Sequence, residues 1–189
     1  MSKQDAPDRL VAEAVTALDG LDVVVVNSGA PPLGTFQSTP LESWEQEFDQ
    51  TLMSAVRLVR AALTHLKRSD QGRIVFVTSI SVRQPIPNIV LSNALRGGVT
   101  GLAKTLSREL APHRITVNCL APDSILTDRI RQLAGDEEGL KRRADSAPMK
   151  RLGDPSEFGA ACAFLCSRQA GYITGQTLGI DGGSLLGVH

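Results

Sequence analysis

The sequence predicts an α/β protein: a doubly wound parallel sheet of about four strands with helices on both faces. Three observations carry this. Strand-like apolar runs at 23–26, 74–77 and 114–120 alternate with long stretches of helical spacing, the order of parallel strands joined by crossover helices. The run VVVV at 23–26 has no polar interruption, as in strands covered on both faces with a neighbour on each side. The runs end in Asn27-Ser28-Gly29, Thr78-Ser79 and Ala121-Pro122-Asp123-Ser124, so small and hydroxyl-bearing residues gather at the sheet edge where such folds take ligands.

Composition narrows the function classes. A chain of 189 residues, 42% hydrophobic, makes one domain with room for a core. Twenty basic residues balance twenty acidic ones, so no basic patch points to nucleic acid and no charge block suggests a tail. No apolar run approaches the roughly 20 residues of a membrane-spanning helix, and a soluble cytoplasmic protein is the expectation. Cys119, Cys162 and Cys166 are odd in number and predict no disulfide framework. Cys162 and Cys166 share a helix face, but with no His or second pair near them they read as small core residues and not as metal ligands.

In chain order, Asp5-Ala6-Pro7 opens a helix with Leu10, Val11, Ala14, Val15 and Leu18 on one stripe, ended by Gly20. Thr39-Pro40-Leu41-Glu42 reads as an N-cap, a proline at the first helical position and a capping-box glutamate. The helix that follows, 40–67, carries Trp44, Phe48, Leu52, Ala55, Val56, Val59, Ala62, Leu63 and Leu66, more than one face can bury. After the strand at 74–77, a helix over 89–111 puts Ser92 and Arg96 four residues apart on one face. Its Gly97, Gly98 and Gly101 suit close approach of a second backbone or packing on its own sheet. From 124 to 150 the chain is charged and helical in pattern, with Gly135 and Gly139 as breaks. Asp154-Pro155-Ser156-Glu157 is a second capping box, opening a helix with Phe158, Ala161, Cys162 and Leu165 inward. A final strand lies between YITGQ and GIDGG.

From about Asp5 to Gly183 the chain resembles the classical short-chain dehydrogenase/reductase family. The motifs that carry the resemblance are VNSG at 26–29, RIVFVTS at 73–79, VTGLAKTLSRELAP at 99–112 and YITGQTLGIDGG at 172–183. It implies a Rossmann-like domain, NAD or NADP as cofactor, and hydride transfer between a carbonyl and an alcohol. By the alignment it implies, the family's catalytic serine falls on Ser79, its tyrosine on Ser92, its lysine on Arg96 and its asparagine on Thr51, so one of the four is kept. Cofactor-binding positions carry over to Asn27, Gly29, Pro122, Ile125 and Thr127, with Asp123 where the family has glycine. The stretch 124–150 matches the family's substrate cover; a solvated helical excursion is the other reading. The two helices 40–67 and 89–111 match its usual dimer interface, so a homo-oligomer is expected.

The family's domain begins with a strand and a Gly-rich turn whose amides hold the diphosphate. No such motif precedes Val23, so the sheet is expected to lack its first strands and the cofactor to bind weakly or not at all. The four valines then form an edge, and an apolar edge finds a cover. Three covers are open: a segment of a longer natural chain, a second copy, or the helix at 7–19. In the family, lysine brings a phenol of pKa near 10 toward working pH; an aliphatic hydroxyl is a far weaker acid, and arginine stays charged. Two functions follow as expectations: an oxidoreductase in which Ser79 orients substrate while Arg96 with Ser92 or a water manages the proton, or a non-catalytic relative that acts through assembly.

Overall fold

The computed structural model describes residues 6–29 and 31–187; Asp5, expected to open the first helix, and Ala30, in the turn after the valines, lie outside the described residues. Four strands, β1 (Val23–Val26), β2 (Arg73–Val77), β3 (Thr116–Pro122) and β4 (Thr177–Ile180), form one parallel sheet in the order β1-β2-β3-β4. Registers such as Val24↔Ile74↔Val117 and Val26↔Phe76↔Cys119 line up one apolar face. The fold class is as the sequence predicts.

That face meets α1 (Ala6–Leu18), α3 (Ser54–Leu66) and α4 (Val90–Glu109) in the main core, with Ile74, Phe76, Val117 and Leu66 fully buried. The opposite face, Val75 and Leu120, packs on Leu165, Phe158 and Ala161 of α7 (Pro155–Cys166). Strand order in space equals order in sequence, so all three crossovers step the same way across the sheet. With α3 and α4 on one face and α7 on the other, the last crossover has the opposite hand to the first two, a departure from the usual handedness rule.

β1 is an edge: among the described residues β2 is its only strand neighbour. Val24 and Val26 are buried, but Val25, on the face that α7 covers farther along the sheet, is 43% exposed. α1 does not close this gap. It packs against α3 through Val11 and leaves Leu10 and Leu18 exposed, so its buried stripe is narrower than the sequence pattern suggested.

The expected single helix at 40–67 is three pieces: α2 (Leu41–Glu47), a π-helical turn at Phe48–Met53, and α3. A π turn widens the helix by one residue and frees backbone groups. Ser54 supplies a partner, donating to the Gln50 carbonyl at 2.5 Å. Leu41 and Phe48 face outward, 70% and 45% exposed, while Trp44 meets Phe36 edge to face at 6.3 Å. The apolar surplus of this helix therefore lies on the surface.

In the stretch after β3, α5 (Asp128–Ala134) ends at Gly135 as expected, with φ 81°. Gly139 is not a break. It lies inside α6 (Glu137–Ser146), where the Asp136 carboxylate accepts from its N–H at 2.7 Å, and a Cβ there would fall 2.0 Å from the Ala134 carbonyl oxygen. Close approach, not helix termination, is what requires glycine. In the C-terminal signature, Gly175 has φ 69° and donates its N–H to Val117 O at 2.7 Å, while Asn118 donates to Ile173 O and accepts from Gln176 N. These bonds fix β4 beside β3.

Candidate functional site

Because every strand points the same way, the turns after β1, β2 and β3 open at one edge of the sheet. The turn after β2 is the most firmly held. Thr78 is buried and bonds Leu120 O through both its N–H, at 2.7 Å, and its hydroxyl, at 3.2 Å. Ser79 is extended (φ −160°, ψ 155°) and caps the short 3₁₀ turn Ile80–Val82, its Oγ accepting from Ser81 N at 3.1 Å. Accepting that bond leaves the Ser79 hydroxyl proton available to a ligand.

α4 begins beside this turn and buries Leu91, Ser92, Leu95, Arg96 and Val99 along one stripe. Ser92 and Arg96 are 9% and 8% exposed. The Arg96 guanidinium reaches backbone, not open cleft. Nη1 donates to Val77 O at 2.8 Å and to Thr78 O at 3.2 Å, and Nη2 donates to Gly29 O at 3.0 Å. One side chain thus ties the ends of β1 and β2 to α4. Burial pulls its pKa below the ordinary guanidinium value, and the negative charge of Glu47 opposes that shift. An arginine stays charged regardless.

Thr51 lies in the π turn, which packs on α4, and is 1% exposed. Its hydroxyl donates to Glu47 Oε2 at 3.5 Å, and Glu47 itself is only 9% exposed. Sequence reasoning missed Glu47. The signal was present: 47, 51, 54, 58 and 62 follow helical spacing and are all inward, so a carboxylate continues the buried stripe of this helix.

The other expected residues are spread along the edge. Asn27 and Gly29 line a cavity of about 410 Å³ with Leu10, Val25, Gln50 and Ser54, and the Gly29 carbonyl is taken by Arg96. Pro122 closes β3. Asp123, in place of glycine, turns its carboxylate to Ser184 Oγ at 2.7 Å, and it lines a second cavity of about 330 Å³ with Ile125, Met149, Arg151 and Asp181. Ile125 is buried and paired with Gly153. Thr127 is exposed, and its hydroxyl caps α5 by accepting from Ile130 N at 3.4 Å. Ser79, Ser92, Arg96 and Thr51 are therefore brought together around the start of α4, whereas Asn27 and Gly29 lie to one side and Ile125 and Thr127 to the other. Arg129 of α5 bridges the sides, donating to Pro31 O at 3.3 Å.

The sequence model of a family described as enoyl-(acyl carrier protein) reductase matches residues 1–184. The chain belongs to the short-chain dehydrogenase/reductase family. Its relatives include dehydrogenase/reductase SDR family member 4 of Homo sapiens, 34% identical over 185 residues, which cover 97% of this chain and 66% of that protein. NADPH-dependent reductase BacG of Bacillus subtilis is 34% identical over 176 residues, 87% of this chain and 67% of that one. Among solved structures, YwfH, an NADPH-dependent reductase involved in bacilysin biosynthesis, superposes with a TM-score of 0.94 at 30% identity, covering 100% of this chain and 76% of that one. L-sorbose reductase from Gluconobacter frateurii, complexed with NADPH and L-sorbose, gives 0.90 at 29% identity, covering 99% and 75%. The chain spans about two thirds of the length of the curated relatives it matches first.

Away from α4, the groups with shifted pKa values include buried or half-buried thiols and the partners of a helix cap. Burial pushes the Cys119 and Cys166 thiols up to about 11, the latter helped by neighbouring Cys162, so both stay protonated at neutral pH. Glu157 closes the capping box of α7 by accepting from Asp154 N at 2.8 Å and forms a two-pronged pair with Arg151 at 2.6 and 2.7 Å. The guanidinium, and then the Asp154 N–H, hold the Glu157 carboxyl down at about 2, against an ordinary 4.5. A folded-state pKa below the unfolded one contributes stability above pH 4.5 and loses it as pH falls toward about 2. In acid unfolding curves, Glu157→Gln is expected to remove this part of the decline between pH 4.5 and about 2, with a smaller effect in high salt because the pair is half exposed. Identical acid limbs for the two proteins would contradict the assignment.

Proposed function

We propose that this chain carries the carbonyl end of a nicotinamide-linked oxidoreductase, reducing a small carbonyl compound or oxidising the matching alcohol. The observation that carries the reading is Ser79: it stands at the end of β2 with its hydroxyl proton uncommitted, in a chain that belongs to this family. In this role the Ser79 hydroxyl donates to the carbonyl oxygen, polarising it and fixing its orientation. Ser92 with a water carries the proton to or from that oxygen. Arg96, its donors spent on Gly29, Val77 and Thr78, holds the site together and relays no proton. Thr51 supports the same wall from the π turn.

The cofactor fits in part. Asn27, Gly29, Pro122, Ile125 and Thr127 would flank its nicotinamide end, and the hydride is what it would supply. The adenylate and diphosphate have no Gly-rich cradle in this sequence, and β1 offers a bare edge where that cradle's strand would lie. These residues by themselves are expected to bind the cofactor weakly. NADPH, in the names of the Bacillus relative and the sorbose reductase complex, favours NADP(H) over NAD(H). Purified protein with NADPH and a panel of small sugars and ketones should show carbonyl-dependent loss of the reduced nicotinamide signal. Its absence across the panel, at millimolar cofactor, would sink the reading.

Specific observations favour a second reading, a non-catalytic relative that works by assembly: Arg96 serves backbone, a serine stands where a phenol is needed, and Val25 and Leu10 are bare along β1. Assembly would use α2–α3, α4 or the β1 edge, giving a homodimer or tetramer. A monomer by light scattering, with no partner recovered, would remove that basis. No described helix is long and apolar enough to cross a membrane.

A further inference from the structure

We propose that Glu47 is the counter-charge of Arg96, and that this pair of buried charges locks the turns after β1 and β2 into the geometry of the site. The inference does not depend on whether the chain turns over a carbonyl. Arg96 places a full positive charge where 8% of the residue is exposed, and its three hydrogen bonds are all to neutral carbonyls of Val77, Thr78 and Gly29. Carbonyl dipoles satisfy guanidinium hydrogens but leave the charge uncompensated, and a buried charge without a partner is costly. Glu47 is the other buried charge on this side of the sheet, at the end of α2, which packs against α4. Arg73, the remaining buried charge among the described residues, lies at the opposite end of β2 and bonds Ser167 O and Gly72 O.

Glu47 and Arg96 do not touch: no ion pair within 4.0 Å joins them among the described residues. The attraction therefore acts across more than 4.0 Å inside a poorly screening interior, where it is stronger than at the surface. The carboxylate is in turn placed by the Thr51 hydroxyl at 3.5 Å. The π turn, α2, α4 and both turns thus meet at one charge pair. Glu47 is a positioning residue: it acts on Gly29 and Thr78 through Arg96.

Glu47→Gln tests the charge alone, because the amide oxygen can still accept from Thr51. Amide hydrogen exchange in E47Q should quicken about tenfold at Thr78 and Ser81, whose N–H groups donate to Leu120 O and Ser79 Oγ, relative to wild type, a coupling of ordinary size for groups sharing one network. Glu47→Asp, which keeps the charge, should recover most of the protection. In an Arg96→Met background, E47Q should add nothing further at these amides. Unchanged exchange in E47Q, an E47D protein as fast as E47Q, or additive effects of E47Q and R96M would each overturn the proposal. The comparison of E47Q with E47D stands by itself should R96M not fold.

Discussion

Arg96→Met lowers the unfolding free energy by about 3 kcal/mol, the scale of stranding several buried polar groups at once. The side chain is 8% exposed and supplies the partners of Val77 O, Thr78 O and Gly29 O; methionine fills similar space and bonds none of them. For a chain of this length the melting temperature should fall by about 10 °C. Arg96→Lys should recover part of the loss, since one ammonium carries charge and donors but not the planar fork that serves two strand ends at once. Denaturant melts of the three proteins check both statements. A loss under about 0.5 kcal/mol for R96M would mean that the guanidinium does not anchor these turns.

Ser79→Ala has the opposite signature: it spares the fold and removes the chemistry. The lost bond to Ser81 N at a short 3₁₀ turn costs no more than about 1 kcal/mol. If Ser79 polarises the reacting carbonyl, kcat/KM should fall about 100-fold, the effect of removing one preorganised donor. The loss should appear in kcat more than in KM, because the bond strengthens as charge develops on oxygen. A variant with wild-type turnover would take Ser79 out of the site.

Much of the fold was legible because apolar patterning and turn chemistry agree along most of the chain; at 39–42 they do not, since Pro40 is the N-cap without a side-chain bond and the Thr39 hydroxyl donates to Thr35 O. The valines at 23–26, RIVFV at 73–77 and the capping box at Asp154 each state a local structure that tertiary packing then keeps. The π turn was not legible, since FDQTLM has ordinary helical spacing and the extra residue per turn leaves no compositional mark. Gly139 misled because glycine reports either a broken helix or a close neighbour, and only the position of Ala134 O decides between them.

At the site, sequence placed Ser92 and Arg96 on one face but could not say which way a long flexible side chain points. Arginine in a lysine position was expected to help manage the proton; the carbonyls at the ends of β1 and β2 capture it instead. Glu47 escaped notice for a related reason. A single carboxylate in a helical stripe looks like a surface residue until its burial is seen.

The central proposal is that these 189 residues by themselves hold the nicotinamide and carbonyl end of a binding site without a Gly-rich cradle for the adenylate end. Calorimetric titration of the purified chain with NADPH and with reduced nicotinamide mononucleotide, which lacks the adenylate, tests it directly. The account predicts similar dissociation constants, within about fivefold and at or above about 1 mM, because the larger ligand finds no additional contacts. NADPH binding about 100-fold tighter than the mononucleotide would contradict it.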